Sequence, residues 1–185
     1  MPAPPLPPPE TIELPGDGVL YRIRESDADQ VGVAVRASLE HLRPFMPWAT
    51  EAGAAPQAQR THARESEQQW AQDVAYLYTL RRAPDGPVLG TFGLHNRIGP
   101  GGLEIGYWLH VDATGQGYAT RAAAALTETA LALAGISRVE IHTDEDNKAS
   151  AAVPQRLGYR LDRVDYRPPE APAETGRLQI WVTGS

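Results

Sequence analysis

Residues 114 to 134 read TGQGYATRAAAALTETALALA, two glycines one residue apart followed by an unbroken run of helix formers. Glycine loses more backbone freedom on folding than any other residue, so Gly115 and Gly117 mark a bend that larger residues do not follow. The stretch LEIGYWLHV (103–111) before them reads as a strand, and SRVEIHT (137–143) after Gly135 alternates as another, with Val139 and Ile141 on one side and Glu140 and His142 on the other. The helix expected from Gly117 to Ala134 is therefore a crossover between two strands. Its Leu126, Ala130 and Leu133 share a face, while Ala122 and Ala123 let it lie close to a sheet.

The rest of the chain surrounds that unit with hairpins. VLYRIRES (19–26) alternates like a strand, and DADQVGVAVRASLEHL (27–42) has an acidic start and helical apolar spacing. LRPFMPWA (42–49) is a proline-punctuated apolar loop, and ESEQQWAQDV (65–74) reads as a short helix. AYLYTLRR and VLGTFGLHNRI flank Pro84-Asp85-Gly86 as a hairpin, and Gly99 to Gly102 make the next turn. A second helix is expected from Asn147 to Leu157 with Gly158 as its cap, before two closing strands in YRLDRVDYR and GRLQIWV. Hairpins first and a crossover later predict an α/β fold of mixed, α+β character. The segment 1–16 holds seven of the seventeen prolines and is expected to be an extended tail outside the core, leaving 17–185 as one domain.

Composition removes several classes of function. The absence of cysteine excludes disulfide scaffolds, thiolate zinc sites and cysteine nucleophiles. A net charge of −6 argues against a nucleic-acid partner. No apolar run approaches the roughly 20 residues that cross a bilayer, and no secretory signal opens the chain, so no membrane partner and a cytoplasmic location are expected. No His and carboxylate spacing suggests a metal, and there is no Gly-x-Ser-x-Gly elbow.

A strand, a short glycine turn and a helix aim unpaired N–H groups at one point, where the helix dipole adds about half a positive charge. Phosphate is the natural guest, with Thr114 and Thr120 as hydroxyl donors and Arg121 as a charge. A tight bend with nothing bound explains the glycines equally well. GYATR offers no Lys-Ser/Thr pair for a phosphate-binding P-loop. Thr120 stands where a dinucleotide fingerprint needs a small residue, and Glu140 lies mid-strand where that fingerprint wants a terminal acid.

VDATGQGYAT is similar to the acetyl-CoA signature of the GNAT superfamily of N-acyltransferases, Arg/Gln-x-x-Gly-x-Gly/Ala, with Thr114 where Arg or Gln is usual. GTFGLHNRI, EIGYWL and NKASAAVPQRLGYR resemble, in the same order, the branch of ribosomal-protein N-terminal acetyltransferases of the RimJ/RimL type, and HLRPFMPW resembles its substrate-side loop. The resemblance spans roughly residues 18 to 183. It implies a central, mostly antiparallel, splayed mixed sheet flanked by helices, acetyl-CoA as donor and no metal. The turn of Thr114, Gly115, Gln116, Gly117, Tyr118, Ala119 and Thr120 would take the pyrophosphate. Backbone groups of Leu109, His110 and Val111 would pair with the pantetheine arm, one amide stabilising the oxyanion. Asn147 would contact the cofactor arm, and it also suits a plain helix N-cap.

The tyrosine that many relatives use to protonate the leaving thiolate falls at Val153, so Ser150 becomes the expected donor. Pro154 removes the N–H that would bond the Ser150 carbonyl, which is expected to stay open to water or the cofactor. Glu104 is the first candidate for the base, with His110 and His142 behind it, and His95 has no derived role. Phe45, Trp48, Trp70, Tyr107 and Trp108 are aromatics that could line the acceptor pocket; Phe45, Met46 and Trp48 of the loop are the ones expected there, whereas Trp70 and Trp108 suit the core. At pH 7 a lysine amine of pKa about 10.4 is neutral less than about one time in a thousand, an α-amine near about 8 roughly a tenth of the time. A site without a strong base therefore suits a protein or peptide N-terminus. A small metabolite or antibiotic amine, and a non-catalytic acyl-CoA sensor, remain the alternatives, and a homodimer is left open.

Overall fold

The computed structural model describes residues 7–184, which build one eight-stranded sheet in the order β1-β2-β3-β4-β5-β6-β8-β7. The strands are β1 (Thr11–Glu13), β2 (Val19–Arg22), β3 (Ala75–Arg81), β4 (Gly90–His95), β5 (Gly102–Leu109), β6 (Arg138–Asp144), β7 (Arg160–Tyr166) and β8 (Arg177–Gly184). The helices are α1 (Ala28–Ala37), α2 (Leu39–Leu42), α3 (Pro56–Ala71), α4 (Tyr118–Ala132) and α5 (Lys148–Arg156). Every neighbouring pair is antiparallel except β5 and β6, which the α4 crossover joins in parallel.

That parallel ladder is short. It runs from Gly102↔Arg138 to Ile105↔Ile141 and stops. β5 then continues to Leu109 on β4, and β6 continues to Asp144 on β8. The sheet thus opens into two halves beyond Ile105, as the family resemblance implies.

Each face carries its own core. Leu103, Ile105, Val139 and Ile141 pack under α4 and α5, where Ala122, Ala123 and Ala130 are fully buried and bring α4 close to the strands. On the other face Leu77 and Trp108 pack with Val31, Val35, Leu39 and Leu42 of α1 and α2. Trp70 is buried against Tyr76 and Tyr78, in edge-on contacts of 5.2 and 5.1 Å.

Two boundaries differ from the sequence reading. The expected tail is partly in the sheet: Thr11↔Tyr21 to Glu13↔Val19 pair as an edge hairpin, Leu14 joins the core, and the Tyr78 hydroxyl donates to the Pro9 carbonyl at 2.8 Å. An edge strand tolerates prolines on both sides, which hides Thr11–Glu13 in a proline-rich context. Residues 1–6 of that tail lie outside the described residues. The other difference is α3, which starts at Pro56 and not near Glu65. Its buried face is Gln59, Ala63, Ser66 and Trp70, helically spaced but mostly small or polar, so apolar periodicity reveals only its end.

Candidate active site

At the mouth of α4 both glycines need a left-handed backbone, φ +71° at Gly115 and +76° at Gly117. A Cβ at Gly115 would meet no atom within 4 Å, so the glycine serves conformation, and the space in front of it is free. Among the described residues the six N–H groups from Gly115 to Thr120 donate to no backbone or side-chain acceptor. The first N–H groups of any helix lack an intrahelical partner, and the exposed Gly115–Gly117 turn adds to them, so six consecutive open donors are presented where an anion can sit.

Side chains brace the turn from behind. Thr114 turns its hydroxyl back to the Val111 carbonyl (2.8 Å), so that donor is already used within the turn. Gln116 donates to the Asp112 carbonyl at 2.6 Å and accepts from Arg82 at 3.1 Å. Arg121 holds the Gln116 carbonyl at 3.0 Å and Asp17 at 2.9 Å, and the buried Tyr118 donates its hydroxyl to Asp17. The cradle is thereby fastened to the β1–β2 hairpin.

The split between β5 and β6 lies next to it. The His110 N–H donates to the Leu89 carbonyl (2.8 Å) and the Val111 N–H to the Ser38 hydroxyl (3.0 Å). These two amides are therefore committed within the protein, which corrects their expected role as donors to the pantetheine arm or the oxyanion. Hydrogen bonds of an antiparallel ladder alternate every two residues. With His110 bonded to β4, Tyr107 and Leu109 direct their N–H and C=O groups to the opposite edge, where β6 has already diverged. Of the three expected backbone positions, Leu109 keeps an amide open to the split.

α5 closes the other side. The Asn147 carbonyl oxygen caps it by accepting from the Ser150 N–H at 3.2 Å. Val153 is buried in the core, so the position of the usual tyrosine is an apolar one. The Ser150 carbonyl, deprived of a helical partner by Pro154, accepts from the Tyr107 hydroxyl at 3.1 Å, and the Ser150 hydroxyl donates to the same phenol oxygen at 3.2 Å. That carbonyl is occupied, contrary to the open state expected from the sequence. Burial pushes the Tyr107 phenol up to about 12, against the opposing pull of its bond to Ser150. The proline inside the helix was a legible signal that an outside donor was needed; Tyr107 answers it.

On the opposite face a cleft of 790 Å³ runs from α1 and the 43–55 loop through the split to Asn147 and Ser150. Phe45, Met46 and Trp48 all line it. Trp48 packs on Trp108 at 6.0 Å between ring centroids and leaves 41% of its surface exposed. Trp108 serves the core and the cleft wall together.

Glu104 sits in this cleft, buried, with both oxygens held by Arg97 at 2.7 Å. Burial alone would raise its carboxyl, but Arg97, His142 and His95 outweigh it and hold the group below the usual carboxylate range. His142 is bound through Nε2 to Glu140 at 2.6 Å and has Nδ1 3.7 Å from Glu104. His110 uses Nδ1 to accept from the Asp112 N–H, capping a short turn. Arg97 has no role in the sequence reading and Tyr107 figures there only as an aromatic, because their polar partners are 7 and 43 positions away. Among the described residues no group of three His, Asp or Glu side chains is arranged to hold a metal ion, and no helix is long and apolar enough to cross a membrane.

Residues 19–160 match the family model described as acetyltransferase (GNAT) domain. No curated protein sequence matches the chain. Among solved structures, RimL, the ribosomal L7/L12 alpha-N-protein acetyltransferase in complex with coenzyme A, superposes with a TM-score of 0.84 at 22% identity over 95% of this chain and 98% of its own. Mycobacterium smegmatis RimJ in complex with CoA-disulfide gives 0.83 at 20% identity over 95% and 86%. The microcin C7 self-immunity acetyltransferase MccE, in complex with acetyl-CoA and AMP, gives 0.84 at 19% identity over 96% and 97%. At these identities the likeness is one of fold.

Proposed function

This chain belongs to the GNAT acetyltransferase family, and on that premise we propose that it transfers the acetyl group of acetyl-CoA to the α-amine of a protein or peptide N-terminus. The observation that carries the reading is the junction of two features: six open amides at the start of α4, and a sheet that parts beyond Ile105 directly before them. The cradle suits a diphosphate, and the split suits an extended arm that pairs with the free edge of β5. Leu109 N–H is the donor for the oxyanion that develops as the amine attacks. The Ser150 hydroxyl, steadied by Tyr107, gives its proton to the departing thiolate. Asn147 orients that end of α5.

The Phe45–Met46–Trp48 wall receives the acceptor, and Glu104, kept ionised by Arg97, favours a cationic amine at the cleft floor. Binding is compatible with attack because an α-amine with a pKa near about 8 still supplies roughly a tenth of its population uncharged at pH 7. The RimL and RimJ structures share the fold, and RimL is by its name an alpha-N-protein acetyltransferase. A thiol-release assay with mixed N-terminal peptides and a panel of small amines tests the reading. Peptide turnover is expected; turnover of small amines alone moves the acceptor to that class, and coenzyme A binding without turnover of either makes the protein a sensor.

A further inference from the structure

His95 ends β4 in register with Glu104 and lines the acceptor side of the cleft. Its imidazole lies across two glycines that face each other on β4 and β5, Gly93 and Gly106. A Cβ at Gly93 would stand 2.8 Å from Nε2, and one at Gly106 3.3 Å. The two bare positions make a slot for the ring. Gly106 is also the first β5 residue past the last parallel pair, so Nε2 sits where the sheet parts. Among the described residues neither ring nitrogen has a hydrogen-bond partner, and the ring is half-buried. Its nitrogens are not enclosed, so a group that enters the cleft can reach them.

Glu104, by contrast, has each oxygen held by the Arg97 guanidinium, which stabilises the carboxylate and weakens it as a base. We propose that His95, and not Glu104, takes the proton from the attacking amine, an inference that rests on the acetyltransferase reading above. The groups around the ring are Arg97 of its own segment, Glu104 on β5, His142 beyond it on β6 and His62 on α3, while β3 presents only Ala75 and Leu77 there. Burial first, then Arg97 and His62 against Glu104, lowers His95 to about 4, so the ring is neutral throughout the working range and, as a weak base, takes the proton only once attack has made the nitrogen cationic. In the reaction the uncharged amine attacks the acetyl carbon, the C–N bond forms and the C–S bond breaks. The nitrogen's proton passes to His95 and the thiolate takes a proton from Ser150. Solvent then removes the first proton and restores the second, so one amine hydrogen is exchanged for one thiol hydrogen overall.

The test compares His95→Ala, His95→Gln and Glu104→Gln in peptide acetylation with peptide and acetyl-CoA each varied in turn. Both His95 variants are expected to lose about 10²-fold or more in kcat with the KM for acetyl-CoA unchanged, as removal of a positioned base does. Added imidazole should restore part of the rate in His95→Ala, a response that a purely structural role would not give. Glu104→Gln should mainly raise the KM for the peptide. If His95→Ala does not fold, His95→Gln decides. A His95→Gln enzyme with kcat close to the unaltered one, or rescue absent in a folded His95→Ala, overturns the assignment alone. No turnover by the unaltered protein overturns the acetyltransferase reading and this assignment with it.

Discussion

Gly115→Ala separates the two explanations of the glycine turn. At φ +71° an L-residue is strained by roughly 1–2 kcal/mol. The added methyl meets no protein atom within 4 Å, so no packing clash adds to that figure. For a domain of this size about 1 kcal/mol shifts Tm by about 2–4 °C, so the variant should melt about 2–8 °C lower. If a diphosphate occupies the space in front of the amides, the methyl also blocks it. Loss of a single charge-assisted hydrogen bond, roughly 1.5–3 kcal/mol, corresponds to about tenfold to a hundredfold weaker binding. Gly135→Ala is the matched control: its φ is +83°, its Cβ also meets nothing, and it lies beyond the far end of α4. Scanning fluorimetry with and without coenzyme A, backed by calorimetry, should show equal melting losses and a coenzyme A deficit in Gly115→Ala only. Equal affinities in the two variants would refute the cradle and leave the glycines as a corner.

Other perturbations address the remaining parts. Ser150→Ala removes the proposed thiol proton donor, and Tyr107→Phe removes its support while orphaning the Ser150 carbonyl; both should lower kcat by about tenfold to a hundredfold, with the second also costing about 1–3 kcal/mol in denaturant unfolding. Asp17→Ala frees Arg82, Arg121 and Tyr118 from their common anchor, so the KM for acetyl-CoA should rise while kcat holds, as steady-state kinetics will read. His95 resists protonation in the folded chain, with about 4 in place of 6.5, so the unfolded chain binds the extra proton between those values and stability falls as pH drops from 6.5 toward 4. The loss is on the order of 3 kcal/mol as an upper bound, because the ring borders the cleft. Glu104, with a lowered carboxyl, adds a further loss below its ordinary range, as pH falls through its folded value. Urea titrations across pH should show the first slope reduced in His95→Gln, with the remainder carried by His62, whose imidazole is also lowered by burial.

The features legible in the sequence were those carried by local pattern. Gly117, the alanine run and Gly135 bounded α4 to within two residues, and Asn147 with Gly158 framed α5, because caps and left-handed glycines act within one turn of chain. Period-two alternation located β2 and β6 for the same reason. What stayed hidden depends on partners distant in the chain. Thr11–Glu13 gains its strand character only from Val19–Tyr21 across the hairpin. The first half of α3 buries Gln59 and Ser66, whose polarity masks the helical face. At the site, Glu104 reads as a free carboxylate until Arg97 folds onto it, and His110 and Val111 read as open amides until Leu89 and Ser38 claim them. The pairing of Tyr107 with Ser150 exists because β5 leaves β6 and meets α5, a consequence of topology.

The central claim is that the N–H groups from Gly115 to Thr120 hold the diphosphate of the acyl donor. Amide NMR spectra of the 15N-labelled protein titrated with coenzyme A test it residue by residue. The account predicts large, saturable shifts at these six amides, with a smaller set at Leu109 and Tyr107 along the parted edge of β5. Unmoved resonances from 115 to 120, in a protein that binds coenzyme A elsewhere or not at all, would contradict it.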